Sequence, residues 1–330
     1  MNKTRRRCGQ DPNEFGLPDP EGIRDEILRS LQPLDQDLAL RGLAKSSRKT
    51  VIWVVSRYCT WARAQGIDAE RSRREDLLAY LAYMQERGLL RRSMQRMFSC
   101  LSTWFAYLED LGKIERNPVP ALQKKYLSKR DGEDRRRQLI SVDDAARMVS
   151  GTLDTRDHAI LMLLLKTGIR RNELVTLDVE DIDLQEQSLR LKPTAKRSNR
   201  LLFFDSEAAL ALHRWLRQRE MRNTKKGHEH ALFLGYDGTR LKGAGVVDCV
   251  AAAAERAGLH DPAAKDIEKR FTPHCCRHWF TTHLLRADMK REYVQWLRGD
   301  HDGAAYMIYF HIDPEDVKKR YLAHIPQLGI

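Results

Sequence analysis

Residues 94–108, Met-Gln-Arg-Met-Phe-Ser-Cys-Leu-Ser-Thr-Trp-Phe-Ala-Tyr-Leu, decide the fold class. Met94, Met97, Phe98, Leu101, Trp104, Phe105 and Leu108 recur at the i, i+3, i+4, i+7 spacing that gathers side chains on one face of an α-helix. Val51, Val54, Val55, Tyr58 and Trp61 repeat the pattern upstream, and Gly66, Gly88 and Gly112 stand where such helices should stop. The spacing therefore predicts a helical domain over residues 21–123, with its aromatic side chains in the core rather than on the surface.

Pro118 and Pro120 close that domain, and the charged run KKYLSKRDGEDRRRQ, residues 124–138, reads as an exposed linker. Residues 1–20 read as a flexible arm. The second domain, 139–330, opens with a helix capped by Ser141, followed by a helix running from Asp157 through AILMLLLK to Gly168. Ser188–Lys192 (SLRLK) and Arg200–Phe204 (RLLFF) alternate as a β-hairpin or small sheet should, and the chain beyond Asp205 reads as mostly helical. The expected fold is mainly α with a small β-sheet in the second domain, an α+β arrangement.

At 330 residues the chain is long enough for two domains with separate cores, and 42% hydrophobic content excludes a disordered chain. The longest strongly apolar run, Ala159 to Leu165, is far short of the roughly 20 residues that cross a bilayer. The opening MNKTRRRCGQDPNEFG has no apolar stretch behind its basic residues, so a cytoplasmic protein without a membrane partner is expected. Cys8, Cys59, Cys100, Cys249, Cys275 and Cys276 lack the paired spacing of a zinc site, and the buried ones should act as small hydrophobes. The formal net charge is +12, and residues 1–138 carry 28 Lys and Arg against 19 Asp and Glu. Such an excess suits a nucleic-acid partner, because neutralising phosphates releases condensed counterions, although a solvated surface has the same composition. Lys45, Arg48, Lys49, Arg91, Arg92 and Arg96 are the candidate phosphate contacts.

Three runs carry the chemistry: Thr167-Gly-Ile-Arg-Arg-Asn-Glu-Leu174, Phe271-Thr-Pro-His-Cys-Cys-Arg-His278, and Trp296-Leu-Arg-Gly-Asp-His301 with Ile308-Tyr-Phe-His-Ile312 after it. Arg170 begins a helix, where the macrodipole opposes it, and Glu173 lies one turn away to fix its guanidinium. A bound phosphate would justify such an arginine. His274 and Arg277 share one helix face at i, i+3.

Taken in order, TGxRxxEL, a basic hairpin, HxxRH, a Gly-containing turn and a C-terminal Tyr resemble the tyrosine recombinases, the phage-type integrases, over the whole chain. The Pro-Gln-Leu-Gly ending and WLRGD…IDPEDV most resemble archaeal virus or plasmid integrases. The resemblance implies that residues 21–123 bind the DNA core site and that 139–330 are catalytic. It makes Arg170 and Arg277 the catalytic arginines, His274 the histidine of the HxxR box, Lys196 in the hairpin the catalytic lysine with Lys192 as fallback, and Tyr309 the nucleophile rather than Tyr306 or Tyr321. The family's second histidine should fall nine residues before that tyrosine, where this chain has Asp300. His301 from the next position, Asp300 orienting a neighbour, or His311 are the candidates for its role, with His301 preferred.

The chemistry is consistent with these roles. Metal-free cleavage of a phosphodiester needs a nucleophile, donors on the non-bridging oxygens and an acid for the leaving 5′-oxygen. Arg170 and Arg277 suit the second task, since the guanidinium binds phosphate in a bidentate fork and keeps its charge. No acidic cluster of the two-metal kind occurs, so no metal or other cofactor is expected. The resemblance further implies double-stranded DNA as partner and a homotetramer at synapsis. The tail after Tyr309, with Val317, Tyr321, Leu322 and Ile325 spaced as an amphipathic helix, would then dock on a neighbouring subunit, the alternative being that the helix packs on its own domain. A type IB topoisomerase-like enzyme and a recombinase-derived DNA-binding protein without cleavage are the alternative functions.

Overall fold

The computed structural model describes residues 21–128, 138–193, 200–264, 266–300 and 312–330. They form two compact units.

The first unit is entirely helical among the described residues: α1 (Glu21–Ser30), α2 (Gln32–Leu40), α3 (Lys45–Ala64), α4 (Arg74–Glu86), α5 (Arg91–Asp110) and α6 (Val119–Tyr126). The two apolar stripes read from the sequence are the facing surfaces of α3 and α5, and every residue named on them is buried. Tyr58 lies at the centre, its ring against those of Trp61, Tyr80, Trp104 and Phe105. Its hydroxyl donates to Ser72 Oγ at 2.6 Å, which satisfies a polar group that would otherwise be costly to bury. The aromatics are core, as their spacing implied.

The second unit is built around α8 (Thr155–Thr167), whose Ala159–Leu165 run is buried on every side. A helix apolar all round must be covered all round. Here α10 (Ser206–Glu220), α12 (Pro273–Arg286), α7 (Val142–Ser150) and α11 (Gly243–Arg256) pack on it. Ser141 caps α7 by accepting from Asp144 N–H at 3.0 Å, and Asp154 caps α8 by accepting from Arg156 and Asp157 N–H. Gly168 ends α8 in the left-handed region at φ 59°. A Cβ there would meet Phe280 of α12 at 2.5 Å, so both the turn and the close approach of α12 require glycine.

Between α9 (Arg171–Thr176) and α10 the chain forms a three-stranded antiparallel sheet, β1 (Ile182–Asp183), β2 (Ser188–Arg190) and β3 (Leu201–Phe203). The expected hairpin is the β2–β3 pair, with Leu189 opposite Leu202; the two-residue β1 added at the edge was too short to read as a period-2 pattern. Residues 222–242 depart from the helical expectation. This polar, glycine-containing segment is irregular, tied down by isolated bridges at Asp178–Ala231 and Leu234–Arg240. The second unit ends with α13 (Arg291–Arg298) and α14 (Pro314–His324).

Candidate active site

Arg170 leaves α8 two residues after the Gly168 turn and stands at the N-cap of α9. Its own N–H donates to Glu173 Oε2 at 2.9 Å, and its Nη1 to Glu173 Oε1 at 3.1 Å. Glu173 is buried, so it works as a fixed support for the guanidinium, the role its i+3 spacing implied. Arg277 projects from α12 and is itself buried; its Nη1 donates to Gly168 O at 2.7 Å and its Nη2 to Arg298 O at 2.9 Å. Two carbonyl groups at the ends of α8 and α13 thus orient it. A buried guanidinium held by backbone acceptors has little freedom to leave its position.

The two arginines, 107 positions apart in sequence, converge on one atom. Arg170 Nη2 lies 2.8 Å and Arg277 Nη2 3.0 Å from Asp300 Oδ1. The other carboxylate oxygen, Oδ2, is 2.8 Å from Arg298 Nε. Asp300 reaches this position because Gly299 ends α13 in the left-handed conformation at φ 59°, turning the chain back over Arg277. Beside the arginines lies an open cavity of about 600 Å³, lined by Arg170, Arg171, Asn172, Thr272, His274 and Arg277. His274 sits exposed in the first turn of α12, and a second hollow of about 270 Å³ continues along that helix past His278, Thr281, Thr282 and Arg298.

The structure therefore brings together Arg170, Glu173, His274, Arg277 and Asp300. Arg298 and the cavity-lining Arg171 and Asn172 were missed by the sequence reading. The only signal was adjacency: Arg171 and Asn172 follow Arg170 into the first turn of α9, and Arg298 precedes the glycine of the RGD turn. Lys196, His301, Tyr306, Tyr309 and His311 lie outside the described residues. Lys192, the fallback lysine, is bound to Asp178, which also pairs with Arg240.

Tyr321 is unsuited to attack a phosphate. It is fully buried, its hydroxyl donates to Lys166 O at 2.8 Å, and burial, with Asp205 and Glu207 nearby, holds its phenol well above the ordinary range. Of the two readings of the tail helix, its packing within this chain is the local one. Val317, Tyr321 and Ile325 are buried in their own unit against Phe280, Leu284, Val294 and Leu297, and Leu322 faces solvent. Beyond α14, Pro326 O accepts from the buried Lys166 Nζ at 2.7 Å, and the N–H groups of Leu328 and Gly329 donate to Glu207. The apolar face of the tail finds its partner locally, as amphipathic faces usually do.

In the first unit Lys45, Lys49, Arg92 and Arg96 are exposed on the opening turns of α3 and α5. Arg48 is held by Asp35, through its carboxylate at 3.0 Å and its carbonyl at 3.1 Å, and Arg91 donates to Ser128 O at 3.0 and 3.2 Å. These two candidates already have partners within the unit. Among the described residues Cys100, Cys249, Cys275 and Cys276 are buried, and burial pushes the Cys59 thiol up to about 12; Cys8 lies outside the described residues.

The chain is similar to known proteins along most of its length. Residues 133–316 match the phage integrase family. The tyrosine recombinase XerC of Pelotomaculum thermopropionicum is 33% identical over 257 residues, covering 75% of this chain and 79% of that protein. The XerC of Bacillus subtilis is 28% identical over 283 residues, 83% and 88% of the two chains. Among solved structures, the Tn1549 transposon integrase in complex with a circular intermediate DNA superposes with a TM-score of 0.66 at 17% identity, over 91% of this chain and 98% of that one. A lambda integrase dimer bound to a COC′ core site gives 0.62 at 16% identity, over 88% and 98%. Those structural likenesses speak for the fold, and the sequence matches for the family: the chain belongs to the phage integrases, the site-specific tyrosine recombinases.

Proposed function

We propose that the second unit cleaves and rejoins DNA strands through a 3′-phosphotyrosyl intermediate, with Tyr309 as nucleophile. The observation that carries the reading is the convergence of Arg170 and Arg277 on a single oxygen position, 2.8 and 3.0 Å away. Donors fixed before the substrate arrives stabilise charge developing on a phosphate oxygen without reorganising during the reaction. The Tyr309 hydroxyl attacks phosphorus, its proton is taken up with help from His274, and the P–O5′ bond breaks. Lys196 gives a proton to the leaving 5′-oxygen. Attack by a 5′-hydroxyl of another strand on the phosphotyrosyl ester reverses these steps, so the bond energy is conserved and no nucleotide cofactor is consumed.

The exposed Lys45, Lys49, Arg92 and Arg96 support a DNA-binding role for the first unit. Lys45 and Arg92 stand in the first turns of α3 and α5, where the macrodipole opposes a cation and a bound phosphate would relieve that opposition; Lys49 and Arg96 follow one turn on. We further propose that the protein acts in the cytoplasm as a homotetramer on paired sites. No described helix is long and apolar enough to cross a membrane.

Covalent trapping tests the reading. Wild-type protein and Tyr309→Phe are incubated with nicked suicide duplexes tiled from the DNA flanking the gene. The wild type should leave one denaturation-resistant adduct at a reproducible sequence and the variant none. An adduct formed by Tyr309→Phe would move the nucleophile elsewhere, and salt-sensitive binding without any adduct would favour a binding protein.

A further inference from the structure

Asp300 stands at the register where the family resemblance calls for a histidine, and three guanidiniums surround it. Arg170 and Arg277 share its Oδ1, and Arg298 faces its Oδ2. A histidine there could donate to a phosphate. A carboxylate only accepts, so it cannot share the same arginine N–H groups with a phosphate oxygen, and as a second anion it would repel one.

We propose that Asp300 is a positioning residue that acts as an internal anion. Before DNA arrives it holds Arg170 and Arg277 as an assembled fork for one oxygen. When a duplex backbone enters, it yields its Oδ1 contacts to a phosphate oxygen and keeps Arg298. The inference rests on reading both arginines as phosphate donors. Each also has an anchor independent of Asp300: Glu173 Oε1 for Arg170 and the Gly168 carbonyl for Arg277. The fork therefore survives loss of the carboxylate, and removing its charge opens the site to other oxyanions instead of scattering the donors.

The test measures binding of inorganic sulfate to the full chain by calorimetry at constant ionic strength, without DNA. Asp300→Asn should bind sulfate roughly tenfold or more tightly than the wild type, the gain expected when charge-assisted hydrogen bonds no longer have to be displaced. Arg170→Ala added to that variant should remove the gain. Asp300→Ser should show the same gain, which covers the case of an asparagine variant that folds poorly or satisfies the arginines with its own amide oxygen. Equal or weaker sulfate binding in the folded variants would overturn the inference and make the carboxylate a scaffold. A separate arm distinguishes the two levels of argument. If Arg170→Ala abolishes the suicide-duplex adduct while sulfate affinities stay equal, only the role of Asp300 falls. If Arg170→Ala leaves the adduct unchanged, the reading of the arginines falls with it.

Discussion

Replacing Lys166 by methionine should be among the most damaging substitutions outside the arginine fork. The Lys166 side chain is 0% exposed, and its ammonium lies 2.6 Å from Asp205 Oδ2, 2.5 Å from Glu207 Oε2 and 2.7 Å from Pro326 O. Methionine fills much of the same volume but leaves the carboxylates of the buried Asp205 and the partly buried Glu207 without their shared cation. Removing one partner of a buried ionic cluster costs about 3–5 kcal/mol, because the remaining charge is uncompensated. For a unit of roughly 190 residues, at about 2–4 °C per kcal/mol, the expected fall in Tm is roughly 6–20 °C. Scanning calorimetry reads that fall, and hydrogen exchange at the Leu328 and Gly329 amides reads release of the tail, since both donate to Glu207. The cost belongs to the stranded charges, so adding Glu207→Gln should recover part of the lost stability. A Tm within 2 °C of wild type, or a double variant less stable than Lys166→Met alone, would refute the reasoning.

Acid should loosen the same anchor. Burial works to raise the Glu207 carboxyl, but Lys166 and the Leu328 and Gly329 amides outweigh it and hold the group below its ordinary value of 4.5. The stabilisation is therefore complete above that value and lost as pH falls through the lower folded-state value; protection of the tail amides should follow this course, and Glu207→Gln should lack it. Gly168→Ala places a methyl group 2.5 Å from Phe280 in a backbone region L residues avoid, and should cost at least about 1–3 kcal/mol in urea unfolding. Tyr321→Phe should lower thermal stability by about 1 kcal/mol through loss of the bond to Lys166 O, yet still form the suicide-duplex adduct, whereas Tyr309→Phe should not. Arg92→Ala and Arg96→Ala should each reduce the slope of log affinity against log salt by about 0.9 if each arginine neutralises one phosphate, measured by fluorescence anisotropy on duplex DNA.

The parts of this molecule that follow from periodicity were legible before any coordinates. The α3 and α5 stripes, the Ser141 cap, the Gly168 stop and the β2–β3 hairpin all express local rules, in which neighbours in sequence are neighbours in space. The Arg170–Glu173 pair was legible for the same reason, being one helical turn apart. What could not be read was convergence between distant segments. Nothing in WLRGD says that Asp300 turns back onto Arg170 and Arg277, because that depends on the crossing of α12 and α8 that Phe280 and Gly168 permit. The tail shows the complementary failure. Its amphipathic face was correctly identified, but an apolar stripe does not name its partner, and Lys166, directly after the apolar run Ala159–Leu165, gave no hint that it anchors Pro326.

Residues 166–170 show why the anchor and the fork belong to one structural unit. Lys166 binds the tail through its ammonium, and its carbonyl accepts from Tyr321 of α14. Two residues on, Gly168 turns the chain beneath Phe280 and offers its carbonyl to Arg277; after Ile169 the chain delivers Arg170 to the N-cap of α9. Phe280 in turn packs its ring near that of Tyr321, at 6.4 Å between centroids. Both arginines and the base of the tail are thus fixed by the last turn of α8 and the residues just beyond it. The interior of that helix is buried on every side, and a packed core of that kind resists small displacements. Placing the arginines on its rigid end requires a glycine in the left-handed region and a buried lysine, and it gives two guanidiniums whose positions do not depend on the DNA to set them.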